Sequence, residues 1–283
     1  FLRDIIGIKV SRSYLKKILE KVSDAFEPVY NELKTSLPRQ KAIHIDESSL
    51  PENGKKLWLW VFETELFSLY HVDPSRGSKV LIDVLGKEFC GIIGCDYFSA
   101  YRKFMKDFNV TVQFCLAHLI RDIKYLCGLN NAGTKSYGER LRELMRELFE
   151  VIHRYGDCDA SILTPLLYAK KALILAAATT DVPSSREAQN LAKQTHGEFF
   201  FTFIATPGIE PTNNLAERAV RFVTIDRRMT QGVRGGWGRR FMERLWTVLS
   251  TCQKQSHDIL GYLESCLLAL WHNTPPPTLL PTQ

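Results

Sequence analysis

Three carboxylates, Asp46, Asp96 and Glu217, stand 96 − 46 = 50 and 217 − 96 = 121 residues apart. Carboxylate oxygens suit a hard cation such as Mg²⁺ or Mn²⁺, and no cysteine–histidine cage competes with them. Two such ions about 3.5–4 Å apart activate a nucleophile and stabilise the leaving oxygen of a phosphodiester. Asp46, in HIDES, falls at the carboxyl end of an expected first strand, and Asp96, in GCDYFSAY, at the end of an expected fourth. In an open α/β sheet such strand ends gather at one rim, where ligands bind. Each acid also has a plainer explanation. Asp46 would serve as a turn acid and Asp96 as the cap of the helix beginning YFSAY. Glu217 would pair with Asn214 in a capping box, the two side chains satisfying orphan backbone N–H groups. For Glu217 the two roles are compatible, since one oxygen can cap while the other binds metal.

The charge around Glu217 favours an anionic partner. Residues 212–244 hold eight arginines, no lysine and three acids (Glu217, Asp226, Glu243). That is 8 − 3 = +5 in one segment of a chain whose net charge is +6. Arginine forks match phosphate oxygens, so Arg218, Arg221, Arg227, Arg228 and Arg234 are expected DNA contacts. A solvated helix face is the competing explanation. The glycines of VRGGWGRR argue instead for close backbone approach to a ligand. Cys115 and His118, in CLAH, have no second pair at zinc-ligand spacing. They are expected near the carboxylates, His118 orienting DNA or a water, or serving as a buried structural histidine.

The elements that position these residues follow from periodicity. Residues 1–36 read as two short helices, capped at Ser11 or Ser13 and closed by Pro38. Strands are expected near 41–47, 56–63, 66–72, 90–95 and 110–115. KKLWLWVFE is apolar on both faces, as in the middle of a covered sheet. The first three strands lie too close together to join except antiparallel. SRGSKVLIDVLG reads as a helix capped at Ser78, and FSAYRKFM as a short helix. The fold class is therefore α/β, a sheet of three antiparallel strands and two crossover strands. From Leu116 to about Phe203 the pattern is helical throughout. WGRRFMERLWTVLSTCQKQ and ILGYLESCLLALW add two helices before a proline-rich tail expected to be disordered.

Composition narrows the setting. The 283 residues are 45% hydrophobic and 24% charged, ordinary for a folded protein. The most apolar stretch, LLYAKKALILAAATT, is broken by Lys170 and Lys171, so no membrane span is expected. Seven cysteines without CxxC spacing argue against a disulfide framework and for a reducing cytosol. A start at Phe1 suggests a fragment or processed chain.

The blocks HIDESSL, LWLWVF, SRGSKVLIDVLG, GCDYFSAYRK, CLAHLIRDIKYL and NNLAERAVRFVTIDRR, in that order, resemble transposases of the insertion sequence 66 family. The resemblance runs over roughly residues 5–270, including a leading SRSYLKKILE. It implies a ribonuclease-H-like mixed five-stranded sheet with flanking helices and an all-helical insertion before the last catalytic helix. By motif it implies the catalytic and metal-binding triad Asp46, Asp96 and Glu217; Asn214, Cys115 and His118 are expected near that site. Where the family pattern has Arg-Lys-Asn after the glutamate helix, this chain has Arg227, Arg228 and Met229. The charge is kept and the amide lost. The family's zinc-ribbon and DNA-binding amino-terminal parts lie outside this sequence.

The expected organisation is an N-terminal helical region (1–37), a first core part (38–130), a helical insertion (131–205), a second core part with terminal helices (206–272) and the tail (273–283). The expected activity is metal-dependent cleavage at transposon ends followed by strand transfer into target DNA. Mg²⁺ or Mn²⁺, as two ions, would be the cofactor. DNA, a second copy of the chain and helper proteins would be the partners, in a bacterial cytoplasm and on the nucleoid. A nuclease of the same fold without joining activity, or a catalytically silent DNA-binding relative, would share these features.

Overall fold

A computed structural model describes residues 7–195, 197–206 and 208–281. Helix α1 (Arg12–Ser36) runs unbroken through Pro28, where two short helices were expected. Ser11 caps it, its Oγ accepting from the Tyr14 N–H at 3.1 Å. Residues 1–6 lie outside the described chain. A 3₁₀ turn at Leu37–Arg39, carrying Pro38, ends the helix.

Strands β1 (Ala42–Glu52) and β2 (Lys55–Glu63) form an antiparallel hairpin. Its two-residue turn is Asn53–Gly54, with φ of 49° and 79°. Positive φ at both central positions is what a type I′ turn needs, and Asn-Gly meets it at least cost. This turn carries β1 to Glu52, five residues beyond its expected end. Asp46 therefore lies within the strand, opposite Val61, and not at its carboxyl terminus. Strand β3 (Ser68–Asp73) pairs antiparallel with β2. Helix α2 (Ser78–Leu85) follows, with Gly77 and not Ser78 at its cap. Then come β4 (Ile92–Cys95), α3 (Ser99–Phe108) and β5 (Thr111–Phe114), β4 and β5 being parallel.

The five strands make one mixed sheet in the order β3-β2-β1-β4-β5. Three antiparallel strands followed by two crossover strands, with flanking helices, is the arrangement expected from the sequence. The helical stretch consists of α4 (Leu116–Cys127), α5 (Ala132–Tyr155), α6 (Ala160–Thr179), α7 (Arg186–Thr195) and the one-turn α8 (Thr202–Ala205). The chain closes with α9 (Asn214–Thr230), α10 (Gly235–Lys254) and α11 (Ile259–His272).

The chain divides into two compact units. One comprises residues 1–91, 106–108 and 214–283, and the other residues 92–105 and 109–213. In the first unit, Leu50, Leu57, Leu59, Val61, Tyr70 and Val72 form one sheet face, buried with Val223 of α9 and Trp246 of α10. On the opposite face Trp60 and Phe62 are fully buried, so β2 is covered on both sides. The outer edge of β3 is closed by side chains rather than by another strand. Ser68, Tyr70 and Val72 donate their backbone N–H groups to Thr251 Oγ1, Thr247 Oγ1 and Glu243 Oε1 at 3.2, 3.0 and 2.6 Å. Spacing of four residues on α10 matches alternate residues on β3, so one helix face serves three edge donors.

The tail is ordered where disorder was expected. Leu279 is buried, Gln255 Nε2 donates to its carbonyl at 2.8 Å, and the Tyr262 hydroxyl donates to Pro277 O at 2.7 Å. Three prolines ahead of Leu279 limit the entropy of the tail that seats it.

In the second unit, α4 and α5 pack through Leu119, Ile123, Leu126, Tyr137, Leu141 and Met145. Helix α6 is long and apolar enough to cross a membrane by length and composition alone, although Lys170 and Lys171 argue against a span in this stretch. In the fold it lies against α5, the Tyr137 hydroxyl donating to Ala178 O at 2.7 Å and Lys170 pairing with Glu147 at 2.6 Å.

Candidate active site

In the first unit the register of β1 decides which acid faces which way. Glu47, opposite Trp60, points to the fully covered face and is held by Arg76, whose Nη2 lies 2.8 Å from its carboxylate. Arg76 in turn stacks on Trp58, 4.5 Å from the ring centre. Glu47 is thereby occupied as a structural ion pair. Asp46, one residue earlier, shares its face with Val61 and hence with the residues that pack under α9. It is half-buried, and one oxygen accepts the backbone N–H of Glu47 at 2.9 Å.

Glu217 occupies the first turn of α9 and is half-buried. The helix begins at Asn214, so Asn213 precedes it. A capping box on Asn213 would need its acid at position 216, which is alanine. Asn214 itself is helical and exposed, so it stands inside the helix and not at its cap, where the box had been expected. Of the α9 arginines, Arg218, Arg221 and Arg228 are exposed, as is Arg234 in the loop before α10. Arg227 differs. Its guanidinium donates to Ser48 Oγ at 2.9 Å and to the Ser49 carbonyl, tying α9 to β1. An expected phosphate contact is thus a brace within the protein.

The glycine-rich loop also departs from expectation. The close backbone approach belongs to Gly232, just before VRGGWGRR, and it is made to the protein itself. A Cβ there would run into the Pro51 carbonyl, and Val233 N–H donates to that same oxygen at 3.0 Å. Gly232 also has φ of 90°, which side chains rarely adopt. Gly235 opens α10 with φ of 73° and open space around it.

In the second unit Asp96 directly follows β4. One oxygen accepts the Phe98 N–H at 2.9 Å, an Asx turn that leads into α3, whose cap residue is Phe98. Tyr97 donates to Asp122 and meets the rings of Phe114, Phe200 and His118 edge-on. Burial and the neighbouring Asp122 charge push the Tyr97 hydroxyl well above the usual tyrosine range. Cys115 caps α4, buried; its N–H donates to Cys95 O at 2.8 Å and its Sγ accepts the Asn213 N–H at 3.2 Å. Leu116 N–H donates to Pro211 O at 2.9 Å. The segment entering α9 is therefore seated on the end of β5. His118 lies in the first turn of α4, half-buried. Sequence reasoning placed Cys115 near the carboxylates, but nothing in CLAH announced that its sulfur anchors Asn213.

A family model described as "Transposase IS66 family" matches residues 1–240. A protein of Sinorhizobium fredii, described as the uncharacterized protein y4qI, is 25% identical over 309 aligned residues. The alignment takes in 97% of this chain and 56% of that protein, so the chain spans about half of its relative's length. A solved structure of the Mos1 transposase catalytic domain, with raltegravir and magnesium, is similar at 12% identity with a TM-score of 0.22. The similarity covers 67% of this chain and 98% of the other.

Proposed function

The chain belongs to the IS66 family of transposases, and on that premise we propose that it cuts DNA at the ends of a mobile element and joins the freed strand to target DNA. Asp46, Asp96 and Glu217 are its catalytic carboxylates. The donor set suits Mg²⁺ or Mn²⁺: three carboxylates offer hard oxygens. When bound, two such ions would activate a water or a 3′-hydroxyl and stabilise the leaving oxygen.

One observation supports this reading above the others. A run of bonds links the segment before α9 to the residue before Asp96: Asn213 N–H to Cys115 Sγ, and Cys115 N–H to Cys95 O. Glu217 follows Asn213 by about one helical turn, roughly 6 Å of axial rise. Asp46 adds to this from β1, on the face that α9 covers. Arg218, Arg221, Arg228 and Arg234 grip phosphates on either side. They position the polyanion electrostatically, without sequence preference. The Arg227 brace and the Gly232 contact hold α9 and its following loop at fixed height on β1. Position matters, because a displacement of about 1 Å at such a site costs about 10²-fold in rate.

The test is a strand-transfer assay with the full chain, Mg²⁺ and DNA carrying the element's ends. Joined products that vanish in Asp46→Asn, Asp96→Asn and Glu217→Gln, with DNA binding retained, support the reading. Cleavage without joined products would leave a nuclease of the same fold. A Glu217→Gln protein that cuts at the normal rate would exclude the triad.

A further inference from the structure

Beside α9, within the first unit, a cleft of about 500 Å³ opens between α9, α10 and the start of α11. That is within the roughly 300–1,000 Å³ of small-molecule sites, which are mostly apolar with a few placed polar groups. Arg218 and Phe222, one turn apart on α9, line it. Its polar wall carries Tyr70, Ser250 and Gln253, the Tyr70 hydroxyl lying 3.1 Å from Ser250 Oγ. The one acid in the lining, Glu63, is paired with Lys254 at 2.6 Å, so its charge is offset. Phe222 is 48% exposed, on the outward side of a helix that already buries Val223. An aromatic ring left in solvent next to Arg221 and one turn from Arg218 gives the core nothing.

We propose that this cleft receives a nucleobase unstacked from DNA bound along the arginine face of α9, with Phe222 as the stacking platform. The proposal rests on the DNA-acting reading above and names what the helix does to the strand it grips. Stacking on an aromatic ring is sequence-tolerant because every base has a π-face, and adjacent arginines add cation–π attraction. Gln253, with an amide that both donates and accepts, and the Ser250 and Tyr70 hydroxyls can meet the edge of any base. Apolar side chains inserted beside DNA commonly open a base step while cations hold the flanking phosphates. Charge chooses DNA over a protein helix as the occupant: Arg218 lines the cleft with Phe222, and Arg221 and Arg228 are exposed on the same helix.

The experiment compares two duplexes that differ only in one unpaired thymine, titrated with the full chain and followed by fluorescence anisotropy. The wild type is expected to prefer the unpaired duplex by about tenfold, within the stacking contribution of one base. Phe222→Ala should lose that preference and keep its affinity for the paired duplex, and Phe222→Trp should restore it. With 2-aminopurine at the unpaired position, emission should be quenched by wild type and not by Phe222→Ala. Phe222 is exposed, so its replacement leaves the core intact. Glu217→Gln should keep the preference, so that loss of catalysis and loss of base capture are separable. Equal affinity for both duplexes, or an unchanged preference in Phe222→Ala, overturns the proposal. So does a change of oligomeric state in Phe222→Ala with the DNA preference intact, which would give the face to a second copy. Absence of any DNA binding would overturn it together with the functional reading.

Discussion

At the scale of single residues, position on a helix separates arginines of equal charge. Arg221 is exposed on α9, whereas Arg227 braces β1 through Ser48 and Ser49. Removing Arg221 should weaken binding to every DNA alike and make the salt slope shallower by about one unit. Urea unfolding should be nearly unchanged. Removing Arg227 should do the reverse in part: charge-assisted bonds are lost, and stability should fall by about 1.5–3 kcal/mol. Equal effects of both changes on the salt slope, with neither altering the urea midpoint, would place Arg227 on the DNA after all. Asp46 and Glu47 differ in the same way, by face. Arg76 satisfies Glu47, so Glu47→Gln should cost stability, while Asp46→Asn should cost cleavage.

Single elements show how an exposed strand edge is managed. The edge of β3 donates to Glu243, Thr247 and Thr251, and His71 and Tyr30 extend the same polar seam. Thr247→Val keeps the shape and removes the acceptor of the Tyr70 N–H. The orphaned donor should cost about 1–3 kcal/mol in urea unfolding. A loss below a few tenths would mean that water replaces the hydroxyl and that the ladder is not structural. The loop before α10 gives a sharper case. Gly232→Ala should both clash with Pro51 and force a side chain to φ near 90°, so the turn must rebuild. Its expected signature is lost cleavage together with lowered stability, because the same contact sets the height of α9 on β1.

Across the whole molecule, the seven cysteines are free thiols in distinct surroundings. Cys90 and Cys158 are exposed, while Cys95, Cys115, Cys252 and Cys266 are buried. Burial, with Cys266 nearby, pushes the Cys252 thiol up to about 11. A thiol titrating there is ionised in roughly one molecule in a thousand at pH 8, and the thiolate is the reactive form. A thiol reagent at that pH should therefore label Cys90 and Cys158 quickly and leave Cys252 and Cys266 untouched until urea is added, as read by mass spectrometry. Fast labelling of Cys252 in the native protein would mean that α10 and α11 open readily. Modification of Cys115 should be slow too, and once achieved should loosen Asn213 and with it the entry to α9.

Much of this molecule could be read from its residues. Alternation in KKLWLWVFE predicted a strand covered on both faces, and the change of period after Cys115 predicted the helical stretch, because both patterns are local. The three carboxylates stood out through their types, spacing and resemblance to a family. The tertiary structure decided what depends on pairing between distant segments. The Asn53–Gly54 turn was visible in the sequence, yet only the register it sets put Asp46 opposite Val61, away from the Glu47 face. The brace of Arg227, the Cys115–Asn213 bond across 98 residues and the seating of Leu279 have no local signal at all. Each follows from where a buried polar or apolar group finds a partner once the sheet and helices have closed, and that search runs over the whole fold.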